Sequence, residues 1–392
     1  MMELLRTVRL VALATIAHVG ATIHRTFGCR HVPAGTSLRV LLIGAYGNGN
    51  YGDDIVGEAI ASALRYKYGA TVRIAARQHN IANLTRDVAP TTFVGGGIRS
   101  VVRTWRLARG ADVVILGGGG LLDGGMDDVH SSRLQLEYLA KLMVCATLRA
   151  RLVIFGIGIS PSSNYMVRSV MKHVLANVDW LGVREEVSFN YAKNINANAQ
   201  LICDPAAVLL RQLAQRLNIT QQPRNGIGVV LLDEKRWPAF VPSTAKVEQQ
   251  RTAELADLAD MLVVAAGDKD VIKLVCFHSS DVAIMDDLSK ILIRKYPHFA
   301  KRVAAQPYPR EHSRDAFAAL MHCRQVYAMR FHPALAALIS GVEVQIVGKL
   351  QKLVSLRTLT SDDGYWWYPA GYGDPVFQLG VALNLPAVTA DE

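Results

Sequence analysis

An arginine and a histidine two residues apart at the end of a strand give the clearest chemical signal in this chain. Arg330-Phe331-His332-Pro333 follows an apolar run at 325–329, and proline favours the first turn of a helix. The pair therefore falls in an extended turn beside a helix start. A guanidinium, an imidazole and the positive end of a helix together suit a doubly anionic ligand. The imidazole also exchanges a proton near neutral pH. A capping histidine beside a surface arginine is the plainer reading of the same four residues. Lys349, just past the apolar run at 343–347, would add positive charge there. Arg184 ends another apolar run and precedes Glu185 and Glu186. It either grips a carboxylate or phosphate through its planar fork or pairs with a neighbouring glutamate.

Three glycine-rich stretches form a second signal. Residues 44–54 hold Asn50, Gly52, Asp53 and Asp54 among four further glycines and asparagines; Gly118, Gly119 and Gly120 sit in a run of four glycines; Gly156 and Gly158 precede Ser160-Pro161. Glycine lets a backbone approach a ligand closely, and a helix start aims N–H groups at it. None of the three is the phosphate loop of the NTPases, and neither ATP nor a dinucleotide is expected as a cofactor. Asp53 or Asp54 can equally cap the following helix.

Such loops need a scaffold. Short apolar runs at 38–43, 71–76, 112–116, 152–156 and 180–183 alternate with helical stretches near 54–68, 132–150 and 165–176; residues 79–110 read as less regular. The pattern restarts after a polar, proline-containing stretch at 211–224, read as a linker. Strands at 226–232, 271–277, 325–329 and 343–347 then alternate with helices at 247–266, 284–295 and 333–340. Alternation of this kind builds parallel sheets covered on both faces, with ligands outside the carboxyl ends of the strands. The expected fold is α/β, two Rossmann-like domains facing a cleft. Its expected divisions are an extension at 1–36, domains at 37–210 and 224–372, and a tail at 373–392. The aromatic stretch 365–368 would either stack on a sugar or pack against the first domain.

Composition narrows the partners. The 392 residues are 51% hydrophobic with a formal charge of +10, which suits anionic partners or simply keeps the surface soluble. No basic stripe interleaved with aromatics speaks for nucleic acid. Five cysteines are scattered without a paired spacing. They read as reduced thiols, Cys145, Cys203 and Cys276 in the core, and no metal site is expected. Residues 10–23 are apolar between Arg6, Arg9 and Arg25. They read as a helix lying on a membrane face, a plain extra helix, or a secretory leader.

Taken in order, several pieces resemble the polysaccharide pyruvyl transferase family. They are Asn50-x-Gly52-Asp53-Asp54, Gly118-Gly119-Gly120-x-Leu122, Gly156-x-Gly158 with Pro161, and Val183-Arg184-x-x-x-Ser188. Asp204-Pro205, Phe277-His278-x-x-Asp281, Arg330-x-His332, Gly341 and Lys349 complete them, spanning about residues 38–355. Phe331 and Pro333 depart from the small or aliphatic residues usual beside that histidine, Asp54 stands for a usual glutamate, and residues 233–236 match nothing in the pattern. The resemblance implies a glycosyltransferase-B-like fold and transfer of pyruvate from phosphoenolpyruvate to a sugar of an exopolysaccharide or cell-wall glycan precursor, forming a ketal. Phosphoenolpyruvate would be a donor substrate, with no cofactor or metal. The acceptor would be a sugar or lipid-linked oligosaccharide, and the location cytoplasmic or peripheral on the inner membrane face. His332 and Arg330 carry over as catalytic, and Arg184 with Lys349, Asn50, Gly52, Asp53, Gly118, Gly119, Gly120 and Gly158 as substrate-binding. A nucleotide-sugar glycosyltransferase is the alternative on the same fold. It is weakened because Leu335 stands where a retaining enzyme's first glutamate would precede Glu343.

Overall fold

The computed structural model describes residues 2–29, 36–77, 89–123, 129–233, 235, 244–306, 308, 313–348, 353, 355–356, 360–362, 365–368 and 371–383. The chain forms two compact units. The first comprises Met1–Asn48, Asp53–Ala206 and Ala370–Glu392, the second Gly49–Gly52 and Ala207–Pro369.

The first unit opens with α1 (Met2–Phe27) and runs through β1 (Arg39–Ile43), α2 (Tyr51–Ser62), β2 (Thr71–Ala76), β3 (Thr91–Phe93) and α3 (Ile98–Ala108). It continues with β4 (Val113–Gly117), α4 (Val129–Val144), β5 (Arg151–Ile157), α5 (Tyr165–Leu175), β6 (Trp180–Val183), α6 (Glu186–Lys193) and β7 (Gln200–Leu201). Its seven strands lie in the order β3-β2-β1-β4-β5-β6-β7, every pairing parallel. Strands buried on both faces read as unbroken apolar runs rather than alternating ones, and β4, Val-Val-Ile-Leu-Gly, is buried at every position. Emptying one such site, as in Leu116→Ala, costs about 2–5 kcal/mol.

The helix α1 is built into this unit. Leu13, Ala14, Ala17 and Ala21 form its buried stripe and join the core made by α4 and α5. A side chain at Gly20 would meet the Met143 carbonyl oxygen at 2.4 Å, so glycine permits the close approach of α1 to α4. His24, buried, bonds Asp179 at 2.9 Å, and His18 stacks on His173 with ring centroids 4.2 Å apart.

The helix α7 (Ala206–Arg216) leads into the second unit, followed by β8 (Ile227–Val230), α8 (Ala245–Ala266), β9 (Ile272–Leu274), α9 (Val282–Lys295) and β10 (Val303–Ala305). Next come α10 (Ser313–Met321), β11 (Gln325–Ala328), α11 (Phe331–Ile339), β12 (Glu343–Ile346), and the short antiparallel pair β13 (Thr360–Asp362) and β14 (Tyr365–Trp367). The parallel sheet has the order β10-β9-β8-β11-β12. Finally α12 (Pro375–Leu383) returns to the first unit, where the Tyr68 hydroxyl donates to the Val376 carbonyl at 2.6 Å.

Several expectations are corrected. Residues 98–108 are a regular helix, because Ile98, Val101, Trp105 and Ala108 recur at helical spacing after the glycine break. The stretch read as a linker is helical as far as Arg216. The helix expected at 132–150 ends at Val144 and gives way to a tighter turn, Cys145–Leu148. The strand carrying most of the aromatic stretch, β14, lies against α11 within the second unit. Cys145, Cys203 and Cys276 are buried, as expected of core thiols.

Candidate functional site

In open parallel sheets the crevice for a ligand lies where the strand order reverses. In the first unit that point falls between β1 and β4, and both strands end in glycine loops. The β1 loop is tied down from three sides. The Tyr46 hydroxyl donates to the Gly117 carbonyl at 2.6 Å, the Tyr138 hydroxyl to the Gly44 carbonyl at 3.2 Å, and the Gly47 N–H to Asp54 at 2.7 Å. Asp54 was a candidate helix cap; instead it clasps the loop that precedes α2, which begins earlier, at Tyr51. Burial drives the Asp54 pKa up to about 7, with the charge of Asp53 adding to the rise and the Gly47 N–H opposing it.

The β4 loop presses on α2. Gly118 has φ +72°, and a Cβ there would lie 2.2 Å from Val56 Cγ1, so glycine is required twice over. A Cβ at Gly119 would fall 2.7 Å from Asp53 Oδ1, and one at Gly120 would touch Asp123 at 3.5 Å. The Gly158 N–H donates to the Gly119 carbonyl at 3.1 Å, joining the second and third loops. Ser160 donates to Asp123 at 2.5 Å, and the Ile159 N–H to the Ser188 hydroxyl at 2.8 Å. Arg184 closes the row. It is 2% exposed, with Nη1 donating to Asp204 at 2.7 Å and Nε to Glu185 at 3.1 Å. Of its two readings, the structure displays the ion pair. The structure thus gathers Asp53, Gly118, Gly119, Gly120, Gly158 and Arg184 at one edge of the first sheet.

In the second unit the strand order reverses between β8 and β11. The turn after β11 carries Arg330 and His332. Arg330 is the residue that caps α11, so the helix starts two residues earlier than expected and His332 lies in its first turn. Arg330 Nη2 donates to Asp281 Oδ1. Asp281 is wholly buried, and its other oxygen accepts from the N–H groups of Phe277 at 3.2 Å and His278 at 3.0 Å. The guanidinium is therefore held by a carboxylate that the turn after β9 holds in its own place. Arg330 Nε is buried and has no hydrogen-bond partner among the described residues.

The segment Gly49–Gly52 belongs to this second unit and docks beside that turn. The Tyr51 N–H donates to the Phe277 carbonyl at 3.1 Å, its ring lies 5.4 Å from that of Tyr308, and the Tyr308 hydroxyl donates to the Gly49 carbonyl at 2.5 Å. The Gly52 N–H donates to Asn50 Oδ1 at 3.1 Å. A Cβ at Gly52 would fall 2.4 Å from His332 Nδ1. Two motifs some 280 residues apart thus meet in one place, Asn50 and Gly52 on one side and Arg330 and His332 on the other. Lys349 lies outside the described residues. Tyr308 had no signal in the sequence, standing alone between prolines.

Fold and switch-point loops together define a glycosyltransferase-B-like α/β protein with two Rossmann-like domains. The UDP-GlcNAc 2-epimerase of Methanocaldococcus jannaschii is similar at a TM-score of 0.56 and 12% identity, over 88% of this chain and 99% of that one. The same epimerase in complex with UDP-GlcNAc and UDP gives a TM-score of 0.53 at 12% identity, over 88% and 99%. The S. aureus MnaA structure with UDP gives 0.53 at 9%, over 91% of this chain and 100% of that one. At such identities the likeness is one of fold. No curated protein matches the chain in sequence. The sequence matches the polysaccharide pyruvyl transferase family over residues 50–347, and the chain belongs to that family.

Proposed function

We propose that this pyruvyl transferase takes its pyruvate from phosphoenolpyruvate and sets it as a ketal across two hydroxyls of a sugar in a glycan precursor. The observation that carries the reading is Arg330. Its guanidinium is anchored by the buried Asp281, caps the start of α11 and keeps a buried Nε donor unused among the described residues. A fixed cation with a spare donor at a helix start is suited to a phosphate or carboxylate. His332, in the first turn of the same helix, is the group that moves a proton.

The chemistry balances without a redox step. The methylene carbon of the donor gains a proton, the central carbon becomes electrophilic, and a sugar oxygen bonds to it. The carbon–oxygen bond to phosphate breaks, and a second sugar oxygen closes the ketal. Of the two hydroxyl protons released, one ends on the new methyl group and the other on the departing phosphate. Charge on the donor is met by fixed cations, Arg330 first, with Arg184 and Lys349 as further members of the proposal. Asn50, Gly52, Asp53, Gly118, Gly119, Gly120 and Gly158 enter it as backbone and side-chain contacts to substrate. The reaction needs a soluble metabolite as donor, which places it in the cytoplasm.

Thermal unfolding with added phosphoenolpyruvate or uridine diphosphate tests the reading, because a ligand of the native state raises the melting temperature. Wild type should be stabilised by phosphoenolpyruvate and not by uridine diphosphate. Arg330→Lys, which keeps a cation beside Asp281 but loses the planar fork, should lose the effect. Stabilisation by uridine diphosphate alone would move the assignment to sugar transfer.

A further inference from the structure

The first unit carries an open pocket of about 570 Å³ lined by residues of α1, α3 and α4. Arg9 from α1, Arg99 from α3 and Arg133 from α4 line it, over Leu13 and the start of α3 at Gly97 and Ile98. No ion pair joins these three arginines to a carboxylate among the described residues. The carboxylate behind the pocket wall, Glu137, is buried and already engaged by Lys141 at 2.7 Å and the Gly97 N–H at 2.7 Å. Three guanidiniums converging on an open pocket at a helix start call for an anion, and the fork of arginine suits a phosphate.

The exposed side of α1 bears on what carries that phosphate. Along α1, positions 8, 11, 15, 19, 22 and 26 fall on one exposed stripe, and Val8, Val11 and Val19 are about half exposed, at 57%, 50% and 48%. The intervening threonines turn their hydroxyls inward. Thr15, Thr22 and Thr26 donate to the carbonyls of Val11, His18 and Thr22 at 2.9, 3.0 and 2.9 Å. The stripe therefore presents methyl groups, with its hydroxyls satisfied without water. The helix is long and apolar enough to cross a bilayer over Thr7–Phe27, but Leu13, Ala17 and Ala21 are fully buried, so here it is packed as a helix of the unit. Its neighbour α3 carries Arg99, Arg103 and Arg106 and no carboxylate, with Val102 exposed. Basic helices with an exposed apolar component bind anionic bilayer interfaces.

We propose that α1 and α3 form a membrane-binding face and that the pocket of Arg9, Arg99 and Arg133 takes the phosphate of an anionic lipid headgroup. This stands apart from the pyruvyl-transfer reading and fails or survives separately.

Co-sedimentation of the full chain with phosphatidylcholine vesicles, with and without phosphatidylglycerol, is the test. Binding should require the anionic lipid, and Arg99→Gln and Arg133→Gln should each weaken it about fivefold. Val11→Asp should weaken it as well, while thermal melting reports that each variant stays folded. Equal binding by wild type and variants, or none by any, would overturn the proposal. So would tight binding of inorganic phosphate that needs Arg99 and Arg133 but brings no vesicle association, which would give the pocket to a soluble phosphoester. A dimer that Val11→Asp dissociates, without vesicle binding, would give the stripe to a second copy of the chain.

Discussion

Gly52 and His332 are packed so closely that no side chain fits between them: a Cβ on Gly52 would stand 2.4 Å from the imidazole Nδ1. The ring position is thus set by the absence of atoms at another residue. Gly52→Ala should improve the intrinsic helix propensity of α2 and yet push the imidazole aside. A displacement near 1 Å in a reacting group costs on the order of a hundredfold in rate. Phosphate release from phosphoenolpyruvate with an acceptor glycan should fall by about that factor, with the melting temperature changed by only a few degrees. Unimpaired turnover would remove His332 from the chemistry.

Arg330 neutralises a carboxylate that has no access to water. Arg330→Ala leaves Asp281 charged and buried, which costs about 3–5 kcal/mol. Adding Asp281→Asn should recover much of that loss, since an amide oxygen still accepts from the Phe277 and His278 N–H groups. Chemical denaturation of the two single variants and the double variant would measure the coupling. Additive losses would mean that the pair is not an energetic unit.

Asp54 makes stability depend on pH in the direction opposite to most carboxylates. Its folded pKa is raised from 3.8 to about 7, chiefly by burial. Between these values the native state keeps a proton that the unfolded chain has released. Stability therefore falls as pH rises from about 4 to about 7, then levels off. Asp54→Asn keeps an acceptor for the Gly47 N–H and removes the titration. Calorimetric melting at pH about 5 and about 8 should show a flatter profile in the variant. An unchanged profile would place the pH dependence elsewhere.

Gly118→Ala should destabilise the first unit by about 1–3 kcal/mol, because the site demands both a left-handed backbone and space beside Val56. The companion substitution Val56→Ala should relieve the contact part of that loss and leave the backbone part. Denaturant midpoints of the single and double variants separate the two. A neutral Gly118→Ala would show that the loop can move away from α2.

Much of this arrangement was legible in the sequence, because parallel strands buried on two faces write themselves as short apolar runs closed by glycine. The switch-point loops and the pairing of arginine with histidine were visible for the same reason. The helix α3 was hidden by the three glycines before it and by its arginines, which mask an apolar stripe of only a few residues. The partner of Arg330 was harder still. Asp281 is 49 residues away in sequence, and only the neighbouring positions of β9 and β11 around β8 bring the two together. Arg184 shows the limit from the other side: its two readings differ only in which anion it meets, and local sequence names Glu185 but not the buried Asp204.

The return of α12 to the first unit has a consequence for how the protein is made. Residues 207–369 are in effect an insertion into a domain whose last piece is synthesised after them. On the ribosome the first sheet emerges early but lacks the helix that receives the Tyr68 hydroxyl at Val376, while the inserted domain has all its residues once position 369 is made, its borrowed segment Gly49–Gly52 having been synthesised long before. Neither domain can therefore be obtained whole by cutting the gene once. A functional dissection would have to join distant stretches of sequence, or leave both domains in a single chain.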